Sequence, residues 1–382
     1  MNIAVNTRLL IKGNMGGMGW FTYQTMKRIT QNHPEHHFFF LFDRKWDDEF
    51  IFSDNITPIR LFPPSRHPFL WYVWFEKSVT RFLKNNKPDL FLSTDGFLSL
   101  NTDVPSVAVI HDINFFHLRS NLPYFVKKYY LRYFPKFAEK AKRIATVSEY
   151  SKNDIVTSYN INPKKIDIVY NGSDEVFRPL SDEQKLEIRQ QHADGNEYFI
   201  FIGSLIPRKN LCRMLEAFDL FKKETGKKHK LIIIGDQLFR FCPARKTHAA
   251  MQYKDDVIFA GQLHRSEIKM ILAASRALIF VPYFEGFGIP ILEAFRCDVP
   301  VVAGDRTSLP EVGGDAALYV DPFSIESIAN GMKKIDSDKS LRIDLIKKGQ
   351  IQLKKFSWEK SAALLWHTIK KTLHPENYLE SE

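Results

Sequence analysis

Phe284-Glu285-Gly286-Phe287-Gly288-Ile289-Pro290-Ile291-Leu292-Glu293 sets two carboxylates eight positions apart around a glycine-flanked turn. Just upstream, Ala277-Leu278-Ile279-Phe280-Val281 is a short β-branched apolar run of the kind that forms a buried parallel strand, and Pro282 ends it. Gly286 and Gly288 can adopt backbone angles closed to other residues, and Pro290 suits the first position of a helix. Strand, turn and helix therefore follow in that order, and the helix starts at the carboxyl edge of a sheet. Its unpaired N–H groups and positive dipole end would face a crevice that favours phosphates, while an ionised Glu accepts hydrogen bonds from sugar hydroxyls. Together these suit a sugar nucleotide. The competing reading is a solvated Glu285 with a Glu293 that only complements the helix dipole.

Strand and helix alternate along the rest of the chain, which argues for parallel sheets covered on both faces. Strands are expected at 3–5, 38–42, 90–93, 107–110, 144–147 and 166–170, then at 199–202, 231–234, 257–259, 278–281, 299–302 and 318–320. The 382 residues, 44% apolar, exceed the size of a single core, so two Rossmann-like α/β domains with a cleft between them are expected. They meet near 177–196, where Pro179-Leu180-Ser181-Asp182-Glu183-Gln184 opens a polar helical stretch that reads as a connector. From Phe356, a capped amphipathic helix carries Leu364, Leu365, Trp366 and Ile369.

Cys212, Cys242 and Cys297 are widely spaced and suggest neither a disulfide framework nor a zinc site. The start is too short an apolar run for a signal peptide, and no stretch of about 18 apolar residues occurs, so a cytoplasmic protein is expected. Net charge is +10, which points to an anionic partner. Between Arg119 and Arg143 eight basic residues face one acid, Glu139, interleaved with seven aromatic residues. Such a segment can lie on anionic lipid headgroups, peripheral on the inner face of the membrane, or it can be a core helix with a solvated basic face. A second aromatic segment, 67–75, leads to Lys77, Arg81 and Lys84 and offers the same choice. No nucleic-acid-binding motif accompanies the charge, so nucleic acid is not expected.

Further motifs fall on loops after strands. Gly203-Ser204-Leu205-Ile206-Pro207-Arg208-Lys209-Asn210 delivers adjacent cations to the cleft mouth, where a forked Arg and a mobile Lys suit a diphosphate; a solvated surface pair is the alternative. Gly13 to Gly19 follows the first strand and lets backbone N–H groups approach a ligand, but it lacks the GxGxxG spacing of a dinucleotide fingerprint. His111-Asp112 emerges at a strand end, either to serve a sugar hydroxyl or departing phosphate or as a structural dipeptide. Ser148 in Thr146-Val147-Ser148-Glu149-Tyr150-Ser151 reads as a helix cap. Asp336-Ser337-Asp338 imitates a metal-binding DxD but follows no buried strand, and it reads as a solvated turn.

With these pieces in place the chain resembles a family 4 glycosyltransferase of the GT-B fold, in its mannosyltransferase-like branch. The ordered matches are Gly16 to Gly19, His111-Asp112, Thr146 to Ser151, Asn171-Gly172-Ser173-Asp174, Gly203 to Asn210, Glu285 to Gly288 with Glu293, and Leu309-Pro310-Glu311-Val312-Gly313-Gly314-Asp315-Ala316-Ala317. The resemblance implies an N-terminal acceptor-side domain over 1–178, a nucleotide-sugar domain over 179–355, and a C-terminal helix over 356–382 that packs back toward the first. It implies a retaining, metal-independent hexose transfer, with mannose from GDP-mannose expected, to a glycan or lipid-linked acceptor in polysaccharide or cell-surface glycan synthesis. The nucleoside diphosphate sugar is a substrate, and no cofactor or metal is expected.

Catalytic roles fall by the same resemblance on His111, Glu285, Arg208 and Lys209. Donor contacts fall on Gly16, Gly17, Arg208, Lys209, Glu285, Phe287, Gly288, Ile289 and Glu293: Glu285 at the sugar hydroxyls, Glu293 at the ribose, Arg208 and Lys209 at the diphosphate. Two departures stand out. Ser204 replaces an Arg common in relatives, and Trp20-Phe21 replaces an Arg-Tyr pair, which bears on acceptor contacts. A UDP-sugar-dependent glucosyl- or N-acetylglucosaminyl-type transferase, or a non-catalytic polyanion-binding protein, are the alternatives.

Overall fold

A computed structural model describes residues 1–118, 122–235 and 244–378, so Arg119 and Cys242 lie outside the described residues. The chain divides into two compact units, Met1–Asn171 with the segment from Trp358 onward, and Gly172–Ser357. Each is a parallel sheet with helices on its faces.

In the first unit the strands are β1 (Asn2–Asn6), β2 (His37–Phe42), β3 (Ile56–Arg60), β4 (Leu90–Ser93), β5 (Ser106–Val109), β6 (Arg143–Thr146) and β7 (Ile166–Ile168), in the order β3-β2-β1-β4-β5-β6-β7. All the pairings are parallel. The edge strand β3 was not expected from the sequence. It carries Pro58, which cannot donate to a ladder and is tolerated because β3 pairs on one side only, with β2. Strands β4 and β5 are buried at every position, as a sheet covered on both faces requires.

The second unit has β8 (Tyr198–Ile202), β9 (Lys230–Ile234), β10 (Val257–Gly261), β11 (Ala277–Phe280), β12 (Val301–Gly304) and β13 (Ala317–Val320), in the order β10-β9-β8-β11-β12-β13. Its core joins Phe199 and Phe201 of β8 to Met214, Phe218 and Phe221 of the helix Leu211–Thr225 and to Ile279 and Val302. Full burial of each such side chain contributes about 1.5–3 kcal/mol. Truncating Phe218, which is completely buried, should cost about 3–5 kcal/mol. Both sheets are doubly wound. Strand order reverses between β1 and β4 in the first and between β8 and β11 in the second, and ligands bind beyond the carboxyl ends of strands at such a switch point.

The polar stretch that reads as a connector is instead part of the second unit. The helix Asp182–Ala193, opened by a capping box between Ser181 and Gln184, is tied to the loop before β11 by Arg189 Nε donating to the Ala274 carbonyl at 3.1 Å. The change of unit falls earlier, between Asn171 and Gly172, and the return falls between Ser357 and Trp358. The C-terminal helix Trp358–Leu373 packs in the first unit against the helix Gly17–Asn32. Arg28 donates to Glu359 at 2.7 Å, and Trp366 stacks on His33 with ring centroids 4.0 Å apart.

Candidate active site

The loops after β8 and β11, at the carboxyl edge of the second sheet, build one charged cluster. After β8, the chain turns through Gly203 (φ 154) into a 3-10 turn, Pro207–Lys209, and Asn210 then takes a left-handed conformation (φ 63). Asn210 is buried, and its amide donates to the carbonyls of Val281 (2.9 Å) and Pro322 (2.7 Å), tying this loop to those after β11 and β13. Tyr283 N donates to the Arg208 carbonyl at 2.8 Å. The cations are thus held by backbone on both sides.

Glu285 receives both of them. Arg208 Nη1 lies 2.9 Å and Lys209 Nζ 2.5 Å from the same oxygen, Oε2, while Oε1 accepts no hydrogen bond among the described residues. Arg208 also donates to the Phe284 carbonyl at 3.0 Å, and Lys209 lies over the Phe280 ring at 4.9 Å. Burial pushes the Glu285 carboxyl up, but the Arg208 and Lys209 charges outweigh it and hold the group below the usual carboxylate range. A carboxylate between two cations offsets their mutual repulsion and leaves the cluster with one excess positive charge.

The turn that carries Glu285 is clamped from the loop after β12. Ser308 Oγ, fully buried, donates to the carbonyls of Glu285 (2.8 Å) and Phe287 (3.0 Å), and Glu285 N donates to Thr307 Oγ1 at 3.3 Å. Thr307 sits at φ 59, a region that costs a β-branched residue about 1–3 kcal/mol. Gly288 has φ 108, and a Cβ there would meet Leu309 at 3.0 Å, so only glycine fits where the helix Ile289–Arg296 begins. Phe287, Gly288 and Ile289 stand at that N-terminus with Pro290 just inside it. Sequence reading missed Thr307 and Ser308, the two residues that directly precede the Leu309-Pro310-Glu311 motif it quoted.

Glu293, one turn into that helix, is 5% exposed and does not share the cluster's cations. Its partner is Arg265, at 3.1 Å, which also faces Asp174 at 3.6 Å. Burial, with the nearby Asp174, raises its carboxyl against the Arg265 charge. Arg265 opens the helix Arg265–Ala273 after β10 and lies over the Phe177 ring at 5.1 Å; no sequence motif flagged it. Ser204 remains on the loop after β8, and the cations nearest it in sequence, Arg208 and Lys209, are the ones Glu285 gathers.

His111, Gly16 and Gly17 belong to the first unit. His111 follows β5, its Nε2 lies 2.9 Å from the Thr94 carbonyl, and the Phe21 ring stands edge-on to it at 4.9 Å. A carbonyl partner makes Nε2 the donor, and burial lowers the imidazole pKa, so Nδ1 carries the lone pair. Asp112 accepts from Asn114 N at 3.0 Å, holding the turn into the next helix. Phe21, the second residue of the Trp20-Phe21 departure, is wholly buried, and its ring supports His111 from the core. A Cβ at Gly19 would strike the Leu9 carbonyl at 2.8 Å, whereas Gly16 and Gly17 meet nothing within 4 Å, so packing within the chain does not require glycine at either. Ser148 does cap its helix, accepting from Ser151 N at 3.0 Å.

Asp336 is not in a solvated turn. It is 3% exposed on the helix Ile325–Ser337, accepts from His229 (2.9 Å) and Arg276 (3.1 Å), and pairs with Lys227. Glu197 joins through Arg189 (3.4 Å), Arg276 (3.3 Å) and His229 (3.5 Å). Glu197, His229 and Arg276 immediately precede β8, β9 and β11, so this network lies at the amino edge of the sheet, opposite the cluster around Glu285. Asp338 caps the next helix, accepting from Leu341 N at 2.9 Å.

The basic aromatic segment divides by face. The helix Tyr124–Lys140 buries Tyr129, Phe134, Phe137 and Ala138 in the first unit's core and exposes Lys128, Arg132, Lys136 and Lys140. No helix among the described residues is long and apolar enough to cross a membrane.

Two family models divide the chain: Glycosyltransferase Family 4 matches residues 15–176, and Glycosyl transferases group 1 matches 182–352. The O-antigen chain mannosyltransferase B of Escherichia coli is 31% identical over 261 residues, 66% of this chain and 67% of that protein. The O-antigen chain mannosyltransferase RfbU of Salmonella typhimurium is 28% identical over 271 residues, 70% and 71% of the two chains. Among solved structures, Anabaena HepE in complex with UDP-glucose superposes with a TM-score of 0.77 over 97% of this chain and all of that one, at 17% identity. WaaG, a glycosyltransferase involved in lipopolysaccharide biosynthesis, gives 0.72 over 94% and 97%, at 16% identity. The chain belongs to the family 4 glycosyltransferases of GT-B fold, in their mannosyltransferase-like branch.

Proposed function

We propose that this glycosyltransferase moves mannose from GDP-mannose to a glycan or lipid-linked acceptor during polysaccharide or cell-surface glycan synthesis, with retention of configuration and without a metal ion. The observation that carries the donor site is the convergence of Arg208 and Lys209 on one oxygen of Glu285, at the switch point of the second sheet. Mannose is favoured over glucose by the two bacterial mannosyltransferases of 31% and 28% identity, since the UDP-glucose complex of HepE speaks for fold alone.

The chemistry follows from charge. A departing nucleoside diphosphate develops negative charge on its terminal phosphate, and a half-buried Arg208 and a buried Lys209, both on a backbone-held loop, stabilise it without reorganisation. As the phosphates take up Arg208 and Lys209, Glu285 stays within reach of the sugar hydroxyls through Oε1. The helix N-terminus at Gly288 and Ile289 adds N–H donors on the same side. Glu293 serves the ribose beside Arg265, and His111 acts at the reacting sugar as a neutral imidazole with Nδ1 as acceptor. Gly16 and Gly17, with open space where a side chain would be, leave room for backbone to close on phosphates or acceptor. The protein works at the cytoplasmic face of a membrane through its basic segment.

A panel of sugar nucleotides tests this, scored by transfer and by slow hydrolysis, with and without EDTA. Consumption of GDP-mannose alone and unaffected by EDTA is expected; turnover of UDP-sugars only, or loss of turnover with the chelator, would reject the donor or the metal-independent chemistry.

A further inference from the structure

Two segments distant in sequence lie side by side in the first unit. A continuous helix runs over 68–86, as the α-helix Pro68–Val73, a π-helical stretch Trp74–Val79 and the α-helix Thr80–Asn86. It pairs in the same direction with Tyr124–Lys140: His67 is 6.4 Å from Phe125, Trp71 stacks on Tyr130 at 5.6 Å, and Tyr72 is 6.1 Å from Tyr133. The two N-terminal ends therefore sit together.

At that shared end the rings point outward. Phe69 is 67% exposed, Tyr124 61% and Phe125 65%, with Tyr72 beside them and Phe62 on the preceding loop. Among the described residues the remaining exposed aromatic rings are Phe259 and Phe323, both in the other unit. Such a concentration on one end marks an interaction surface. Along the outer faces run Lys77, Arg81 and Lys84 on one helix and Lys128, Arg132 and Lys136 on the other, all exposed and none in an ion pair among the described residues. Glu139 is the one exposed acid on the pair, because Glu76 is buried and accepts from Leu100 N at 2.9 Å and from Asn101 at 2.6 Å.

Aromatic tips flanked by rows of Lys and Arg fit an anionic bilayer, in which rings settle at the headgroup level and cations meet lipid phosphates. Protein interfaces, by contrast, deplete lysine. We propose that this paired-helix end is the surface by which the protein docks on anionic lipid. The proposal deepens the membrane reading above and is independent of the donor-site assignment, because a docking failure leaves transfer to a soluble acceptor unchanged.

Flotation of the full chain with phosphatidylcholine vesicles, with and without phosphatidylglycerol, tests it. Binding to the anionic vesicles, weakened by salt, is expected. The triple variant Phe69→Ser, Tyr124→Ser, Phe125→Ser and the charge variant Lys77→Glu, Arg81→Glu, Lys128→Glu, Arg132→Glu should each reduce it at least about tenfold with unchanged melting. Wild-type protein that ignores anionic vesicles, or variants that bind as well as wild type, would overturn the proposal. So would a dimer in light scattering that the same substitutions dissolve, since the rings would then cover a second copy.

Discussion

The Lys209 ammonium lies 2.5 Å from Glu285 Oε2, an oxygen it shares with Arg208, so the acid and the cations of the proposed donor site hold one another in place before any ligand arrives. The proposed mechanism rests on that arrangement, and the following outcomes are expected from it.

Replacing Lys209 by Ala removes one of the two cations proposed to meet the leaving diphosphate and leaves Arg208 to hold Glu285. Turnover should fall about 10²–10³-fold, the scale of losing one preorganised electrostatic donor. Melting should change little by comparison. Steady-state kinetics with thermal unfolding on the same preparation check both halves, and near-normal transfer would remove Lys209 from the chemistry.

Glu285→Ala should abolish transfer while the bare nucleoside diphosphate binds at least as tightly, because the carboxylate no longer competes with phosphates for the cations. Calorimetric titration reads this directly, and lost affinity would mean that Glu285 chiefly shapes the pocket. Its pH signature has a definite sign. The folded carboxyl lies below its unfolded pKa, so the ion pairs stabilise the protein above roughly pH 4.3 and that contribution is lost as pH falls through the folded pKa. The melting gap between wild type and Glu285→Gln should close on acidification.

Ser308→Ala removes the one hydroxyl shared by the part-buried carbonyl of Glu285 and the buried carbonyl of Phe287. A loss of about 1–3 kcal/mol in stability is expected, together with reduced turnover as the turn carrying Glu285 loosens. Denaturant unfolding and kcat measure these separately, and a variant of full stability and rate would show the clamp to be idle.

His229 titrates in the opposite sense. Burial alone would lower its pKa, but hydrogen bonds to Asp336 and Glu197 raise it above the unfolded value. Its protonated form therefore contributes stability that is fully present below about pH 6.5 and lost as pH rises through the folded pKa. The melting advantage of wild type over His229→Gln should be largest in mildly acidic buffer and shrink toward alkaline pH, with activity little affected, since the network lies at the sheet edge away from Glu285.

Local signals made much of this readable from the sequence. The apolar runs of the central strands, the Gly286-Phe287-Gly288-Ile289-Pro290 turn and the Arg208-Lys209 pair each announce themselves within about ten residues, and they meet at the second sheet's switch point. What depended on contacts distant in sequence stayed hidden. Arg265 reaches Glu293 over 28 positions, Ser308 reaches Glu285 over 23, and Asp336 reaches His229 over 107. No local pattern marks such partners. The Asp336 reading failed because polar neighbours suggested exposure while the charge was being neutralised by residues far away in the chain. Strand β3 escaped because an edge strand with a proline lacks the apolar run on which strand recognition relies.

The most direct measurement is transfer from radiolabelled GDP-mannose to a glycan or lipid-linked acceptor by wild type and Lys209→Ala, followed by linkage analysis of the product. An α-linked mannoside formed by wild type, and formed at least about a hundredfold more slowly by an equally stable variant, is the predicted result. Equal rates for the two proteins, or an inverted product, would contradict a retaining transfer driven by the cations gathered on Glu285.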